Sequence, residues 1–289
     1  MKSISKLKLL VFVIVLFSCN SNNNSFSKSK KGEKVELTNK AKAIALIESL
    51  ETGAQEPIGY INSDKYIQHN LAVGDGLEGF GKVVSNAPKG GFKAEVLRAF
   101  QDDEYVFLHV KYDFFGPKAA IDIFRFEEGK IVEHWDNLTE ITPSNPSGRT
   151  QFDGYTEIVN LDKTQNNKTL VKEFVNDVLM NGKTDKITDY INPEKYIQHN
   201  PQIADGLDGL STALNYFEEN GLVLQYEKIH KVLGEGNFVL TVSEGKFGKG
   251  DHVAYYDLWR LENGKIVEHW DIIQNIPPKS EWKNQNGKF

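Results

Sequence analysis

Apolar residues recur at helical spacing early in the chain. Ala43, Ile44, Ile47 and Leu50 fall on one face of a helix that Thr38 or Asn39 can cap. Leu170, Phe174, Val178 and Leu179 repeat that stripe further on. Each stripe is followed by a Tyr-Ile-Gln-His-Asn block, an Asp-Gly turn and a short helix, expected at 79–87 and 209–220. The pattern then changes to β-rich runs, which in the first half cover 92–100, 105–114, 119–126 and 130–139. Helices first and antiparallel strands after predict an α+β fold.

The two halves are copies. Ile61-Asn62-Ser63-Asp64-Lys65-Tyr66-Ile67-Gln68-His69-Asn70 returns with eight of ten positions identical at an offset of 199 − 69 = 130. Gly129-Lys130-Ile131-Val132-Glu133-His134-Trp135-Asp136 returns unchanged at 269 − 134 = 135. A period of this length is a whole domain, too long for a solenoid unit. The expected division is repeat 1 at 37–142, a linker at 143–167, repeat 2 at 168–278 and a polar, fraying tail at 279–289. Part of the five-residue difference is expected in a longer Gly/Lys-rich hairpin loop at 245–251.

The first residues read as an address. Lys2, Lys6 and Lys8 precede an unbroken apolar run at 9–17, too short for a spanning helix. Leu16-Phe17-Ser18-Cys19 resembles a bacterial lipobox, which implies a signal at 1–19 with lipidation at Cys19, then a flexible tether at 20–36. The expected location is the cell envelope, with a lipid anchor holding an exported protein. A plain export signal or an uncleaved anchor are the alternatives. Cys19 is the sole cysteine, so no intrachain disulfide and no multi-cysteine zinc site can form.

Composition narrows the partners. With 34 Lys+Arg against 40 Asp+Glu, the 289-residue chain carries a net charge of −6. Removing residues 1–18 takes three lysines and leaves 31 − 40 = −9. Nucleic acid is therefore not expected as a partner, and neither is a basic patch on a membrane surface. At 39% hydrophobic residues the chain can bury real cores, which excludes global disorder.

Strand alternation selects the chemistry. Asp122, Phe124 and Phe126 share one face; Val132, His134 and Asp136 share a face of the next strand. Asp122 stands among Ala, Ile and Phe, and Asp257 repeats it among Tyr, Leu and Trp. A carboxyl there is desolvated and favours its neutral, hydrogen-bond-donating form, unless it pairs with Arg125. His69 and His134, with His199 and His269, are candidate proton carriers or ordinary structural histidines.

The segment 121–126, followed by Gly129-Lys130-Ile131-Val132, resembles the strand–turn–strand of ketosteroid isomerase. Both halves resemble the SnoaL-like polyketide cyclases of the nuclear transport factor 2-like superfamily, to which that isomerase belongs. The resemblance implies two cone-shaped, curved antiparallel sheets wrapped by helices, one pocket per copy, packed as an intramolecular pseudo-dimer. It implies Asp122 and Asp257 as protonated donors at the pocket floor. His134, Asp136, His269 and Asp271 would turn inward, and His69 and His199 would take the base position. Tyr66, Phe124, Tyr196 and Trp259 would contact a ligand, while Glu133, Trp135, Glu268, Trp270 and His109 would face the other repeat. The base position holds His where the isomerase has Asp, and an oxyanion tyrosine is not evident beyond Tyr66 or Tyr60, so steroid isomerisation is not implied.

The implied activity is cofactor-independent acid/base chemistry on a small apolar carbonyl compound: enolisation, aldol cyclisation or isomerisation. The competing reading is a non-catalytic exported lipoprotein that binds an apolar small molecule in the same pockets. No cofactor and no metal are expected. A zinc site from His69, His134 and a carboxylate lacks a His-x-x-x-His spacing to support it.

Overall fold

The computed structural model of the protein describes residues 36–89 and 91–289. The expected signal, Cys19 and nearly all of the tether lie outside the described residues.

The first half runs α1 (Asn39–Thr52), β1 (Ile67–Gln68), α2 (Gly76–Ser85), β2 (Lys93–Asp102), β3 (Tyr105–Asp113), β4 (Pro117–Glu127) and β5 (Lys130–Glu140). The second runs α3 (Thr164–Phe174), a π-helical turn (Val175–Met180), α4 (Ile187–Tyr190), β6 (Ile197–Gln198), α5 (Gly206–Glu219), β7 (Val223–Glu235), β8 (Phe238–Gly248), β9 (Asp251–Glu262) and β10 (Lys265–Asn275). The sheets have matching orders, β1-β5-β4-β3-β2 and β6-β10-β9-β8-β7. Only the short β1 and β6 run parallel to their neighbours, so each sheet is mixed.

Local chemistry sets the boundaries. Thr38 caps α1 by accepting from the Ala41 amide at 3.2 Å, and Gly53 ends it in the left-handed region. Ala43, Leu46 and Ile47 form its buried face. The helix expected at 79–87 begins earlier, at Gly76, the glycine of the Asp-Gly turn, with Asp75 at the N-cap position. Gly79 must lack a side chain, because a Cβ there would fall 1.7 Å from Gly74 O. The β4–β5 and β9–β10 hairpins turn on Glu128-Gly129 and Asn263-Gly264, all four residues at positive φ.

Alternation along the strands divides each sheet into two faces, as the sequence pattern predicts. Val106, Leu108, Ala120 and Phe124 face α1 with Ala43, Leu46 and Ile47. Ile121, Ile123, Phe107 and Trp135 point the other way, into one cluster with Phe238, Leu258, Tyr256 and Trp270 of the second sheet. That shared face holds the halves together through buried apolar area.

Two expectations change here. The span 245–251 is not a loop: β8 continues to Gly248 and only Lys249 and Gly250 separate it from β9. Two of the five added residues do lie in this hairpin, as strand: Leu108 and Asp122 pair at a separation of 122 − 108 = 14, Thr241 and Asp257 at 257 − 241 = 16. The tail does not fray either. Lys283 N donates to Leu71 O at 2.8 Å, and Asn284 Nδ2 donates to Asn70 O at 2.8 Å and Val73 O at 2.9 Å. β1 is two residues long, so the chain after it exposes carbonyls that no strand pairs. The tail's asparagines satisfy them. Across the other half, Asn145 Nδ2 donates to Gln198 O at 2.7 Å and Ile203 O at 2.8 Å. Each half is thus strapped by the segment that follows the other half's last strand.

Candidate functional site

In the first half, the inward faces of β1, β4 and β5 converge. Register pairs Gln68 with His134 and Asp122 with Asp136. His134 Nε2 lies 3.1 Å from Asp122 Oδ1, and the Tyr112 hydroxyl donates to Asp122 Oδ2 at 3.0 Å. His134 Nδ1 lies 3.0 Å from Gln68 Oε1, which also accepts from the Asn70 amide at 2.8 Å. Asn70 Nδ2 donates to Asp136 Oδ2 at 2.7 Å. The Asp-Gly turn ties in as well, since Asp75 Oδ1 accepts from Gln68 N at 3.0 Å. Phe124 stacks on the His134 ring at 4.7 Å.

This network locates a proton. Because the Asn70 N–H must meet an oxygen, the Gln68 amide orientation is fixed and His134 Nδ1 must donate to it. With Nδ1 donating to Gln68, the 3.1 Å contact between His134 Nε2 and Asp122 Oδ1 holds a single proton between imidazole and carboxyl. The pair shares one proton in a site where burial pushes the Asp122 carboxyl up, against the hydrogen bond from His134. Burial, with Asp122 beside it, also holds the Tyr112 phenol well above its ordinary value.

The second half repeats the arrangement. His269 Nε2 and the Tyr226 hydroxyl each lie 3.1 Å from Asp257 Oδ1, and His269 Nδ1 lies 3.0 Å from Gln198 Oε1. Asn200 Nδ2 donates to Asp271 Oδ2 at 2.6 Å. Burial pushes Asp257 up to about 8 and His269 down to about 4, so the proton stays on the acid at neutral pH. Trp259 stacks on His269 at 3.9 Å.

Each network borders an apolar cavity, of about 70 Å³ in the first half and about 50 Å³ in the second. Tyr66, Asp122, Phe124, His134 and Asp136 line the first; Tyr196, Trp259, His269 and Asp271 line the second. Asp257 is fully buried behind that wall. In each half, two carboxylates and the imidazole present ligand atoms within 4.8 Å of one another, a spacing that a cation could also bridge.

His69 and His199 are not among the residues brought together. Alternation places Gln68 inward and sends His69 to the opposite face, where its ring stacks on Trp135 at 4.6 Å. Its Nε2 meets Glu133 Oε1 at 2.8 Å and its Nδ1 meets Gly287 O of the tail at 2.8 Å. His199 does the same with Trp270, Glu268 and Thr150 O. The expected general base is therefore a strap anchor. His109 also serves a strap, with Nδ1 at 3.1 Å from an Arg98 guanidinium that donates to the carbonyls of residues 152, 153 and 155.

Residues 171–269 match a family model described as a SnoaL-like domain. The second half of the chain carries a SnoaL-like domain. No curated protein matches the sequence. Among solved structures similar to it is a nuclear transport factor 2-like protein of unknown function from Cytophaga hutchinsonii, 18% identical, covering 37% of this chain and 95% of its own, at a TM-score of 0.33. An epoxide hydrolase of Mycobacterium tuberculosis, described as LEH-like, is 21% identical over 39% of this chain and 85% of its own, at 0.30.

The two networks also hold residues that sequence reasoning missed: Gln68, Asn70 and Tyr112, with Gln198, Asn200 and Tyr226. A signal existed for the first two. Tyr66, Gln68 and Asn70 alternate within the repeated block, one residue out of phase with His69.

Proposed function

We propose that the protein is a cofactor-independent acid/base enzyme acting on a small apolar carbonyl compound, by enolisation, aldol cyclisation or isomerisation. The observation that carries this reading is the buried Asp122–His134 pair sharing one proton beside a second carboxylate, Asp136, in an apolar cavity. The proton-bearing pair donates to the oxygen that becomes an enolate, and Asp136 receives the α-proton. Two neighbouring carboxyls in different environments supply an acid and a base. In the second half His269 and Asp271 line the cavity and take these roles, with Asp257 acting from behind the wall through its contact with His269. Tyr66, Phe124, Tyr196 and Trp259 hold the apolar part of the substrate.

The duplicated halves form an intramolecular pseudo-dimer in this reading, supported by the matching strand orders and the shared apolar cluster. The leader, with Cys19 after its apolar run, supports an exported envelope protein anchored by lipid.

Exchange of α-protons for deuterium in a small cyclic ketone, followed by NMR, tests the chemistry. Wild-type protein is expected to speed exchange, and the Asp122→Asn/Asp257→Asn double variant to lose about 10²-fold or more of that rate. His69→Gln/His199→Gln should retain it. Equal exchange in wild type and the Asp double variant overturns the assignment. Saturable ketone binding without exchange selects the second reading, a non-catalytic small-molecule binder. One observation favours that reading: both ring nitrogens of His134 and His269 already have partners.

A further inference from the structure

The two cavity mouths differ in one charged group. In the first half the tail inserts Lys288, whose Nζ donates to Asp136 O at 2.7 Å and Gln274 Oε1 at 2.8 Å and stands 3.9 Å from Asp136 Oδ1. The lysine is buried there. Two oxygens thus accept from the ammonium, and the Asp136 carboxylate faces it as counter-charge.

The straps identify the matching place in the second half. His69 Nδ1 meets Gly287 O and His199 Nδ1 meets Thr150 O, both at 2.8 Å, so Gln151 stands where Lys288 stands. Gln151 turns its Oε1 to the Thr142 amide at 3.0 Å. Among the described residues no lysine or arginine pairs with Asp271. A groove of about 270 Å³ opens in that place, lined by Asp271, Asn200, Gln202, Asn275 and, from the first half, Thr139. Thr139 is the counterpart of Gln274, at 274 − 135 = 139. The groove shares Asn200, Phe247, Asp271 and Ile273 with the second cavity, which makes it that cavity's mouth.

We propose that this groove binds the primary ammonium group of a ligand whose apolar portion enters the second cavity. The ligand's ammonium occupies the place that Lys288 fills in the first half, against Asp271 and the Thr139 hydroxyl. The proposal rests on the reading above that the cavities are ligand sites, and it names an amine-bearing substrate class for one of them. It also makes the halves unequal: the first mouth carries its own cation, and the second takes one from its ligand.

Titration of the full chain with n-butylamine and, separately, 1-butanol tests this at neutral pH. The side-chain NMR signals of Trp259 and Asn200 report on the second cavity. The amine is expected to give saturable shifts at least about tenfold tighter than the alcohol. Asp271→Asn should remove that preference. Lys288→Met should create a second amine site, seen at the Asn70 side-chain amide. Equal affinity for amine and alcohol overturns the ammonium proposal while leaving an apolar ligand site standing. No shift with either probe removes the ligand-site reading of the second cavity as well. Undiminished amine affinity in Asp271→Asn, or no new site in Lys288→Met, also overturns the proposal.

Discussion

Tyr112 and Tyr226 stand on opposite members of equivalent cross-strand pairs, yet each reaches the aspartate of its own half. In the first sheet Ala94 on β2 pairs with Tyr112 on β3; in the second, Tyr226 on β7 pairs with Gly245 on β8. Asp122 pairs with Leu108 and Asp257 with Thr241, so Gly245 is the counterpart of Tyr112, four residues beyond in both cases. The phenol has crossed from one strand to its neighbour and kept its hydroxyl on the same carboxyl, at 3.0 Å and 3.1 Å.

The crossing leaves no room behind it. A Cβ at Gly245 would lie 1.9 Å from the backbone oxygen of Gln225. Gly245→Ala should therefore force β7 and β8 apart and destabilise the fold by about 1–3 kcal/mol or more. Urea denaturation reads this as a lower midpoint with an unchanged slope.

Asp257 should make stability fall as pH rises. Its carboxyl is pushed up to about 8 by burial, whereas in the unfolded chain it titrates near about 4. Between those values the native state holds a proton that the unfolded state has released, so stability declines through that window and levels off above it. Asp257→Asn removes this slope while keeping an N–H to donate to His269 Nε2. The variant should match wild type near pH 5 and exceed it near pH 9 by on the order of a few kcal/mol, measured by chemical denaturation at both values. A variant less stable than wild type at the higher pH would contradict the assignment of a protonated Asp257.

The legible part of this molecule was what periodicity and repetition encode. Apolar spacing gave α1 and the four long strands to within a few residues, and alternation together with the resemblance to ketosteroid isomerase put Asp122, His134 and Asp136 on one face. What it could not give is how a neighbouring strand fills the space above that face. Tyr226 escaped because it has no tyrosine at its matching position, Ala94. His69 was misplaced because the block containing it enters a two-residue strand, and periodicity does not say which of two adjacent polar side chains turns inward. Lys288 escaped because a polar tail carries no periodic signal. The carbonyls that order it belong to residues more than 200 positions away.

His69 should prove structural. Its ring joins Trp135, Glu133 and the tail carbonyl of Gly287. His69→Ala removes that anchor, and the amides of residues 283–289 should exchange with deuterium faster, with a stability loss of about 1–2 kcal/mol. The His134 signals should stay in place, since Gln68 and not His69 holds that ring. A shifted His134 with a protected tail would reverse the assignment.

The equivalent glutamates Glu133 and Glu268 should differ sharply in consequence. Glu268 and Arg260 have side chains 1% and 3% exposed, against 15% and 17% for Glu133 and Arg125. Burial opposes the charge of Glu268, but hydrogen bonds from His199 and Arg260 outweigh it and hold the carboxyl below its ordinary value. Glu268→Gln leaves the buried Arg260 guanidinium with Glu262, whose Oε1 accepts from its Nη1, as its remaining carboxylate partner, so a loss of about 1.5–3 kcal/mol is expected. Glu127 Oε1 accepts from Arg125 Nη1 at 2.6 Å in the same way, but water reaches this more open pair, so Glu133→Gln should lose only about 1 kcal/mol. Because a depressed carboxyl stabilises only while ionised, wild type should lose the Glu268 contribution as pH falls through its folded value, and Glu268→Gln should not. Equal losses for the two variants in urea would mean that water reaches both pairs alike.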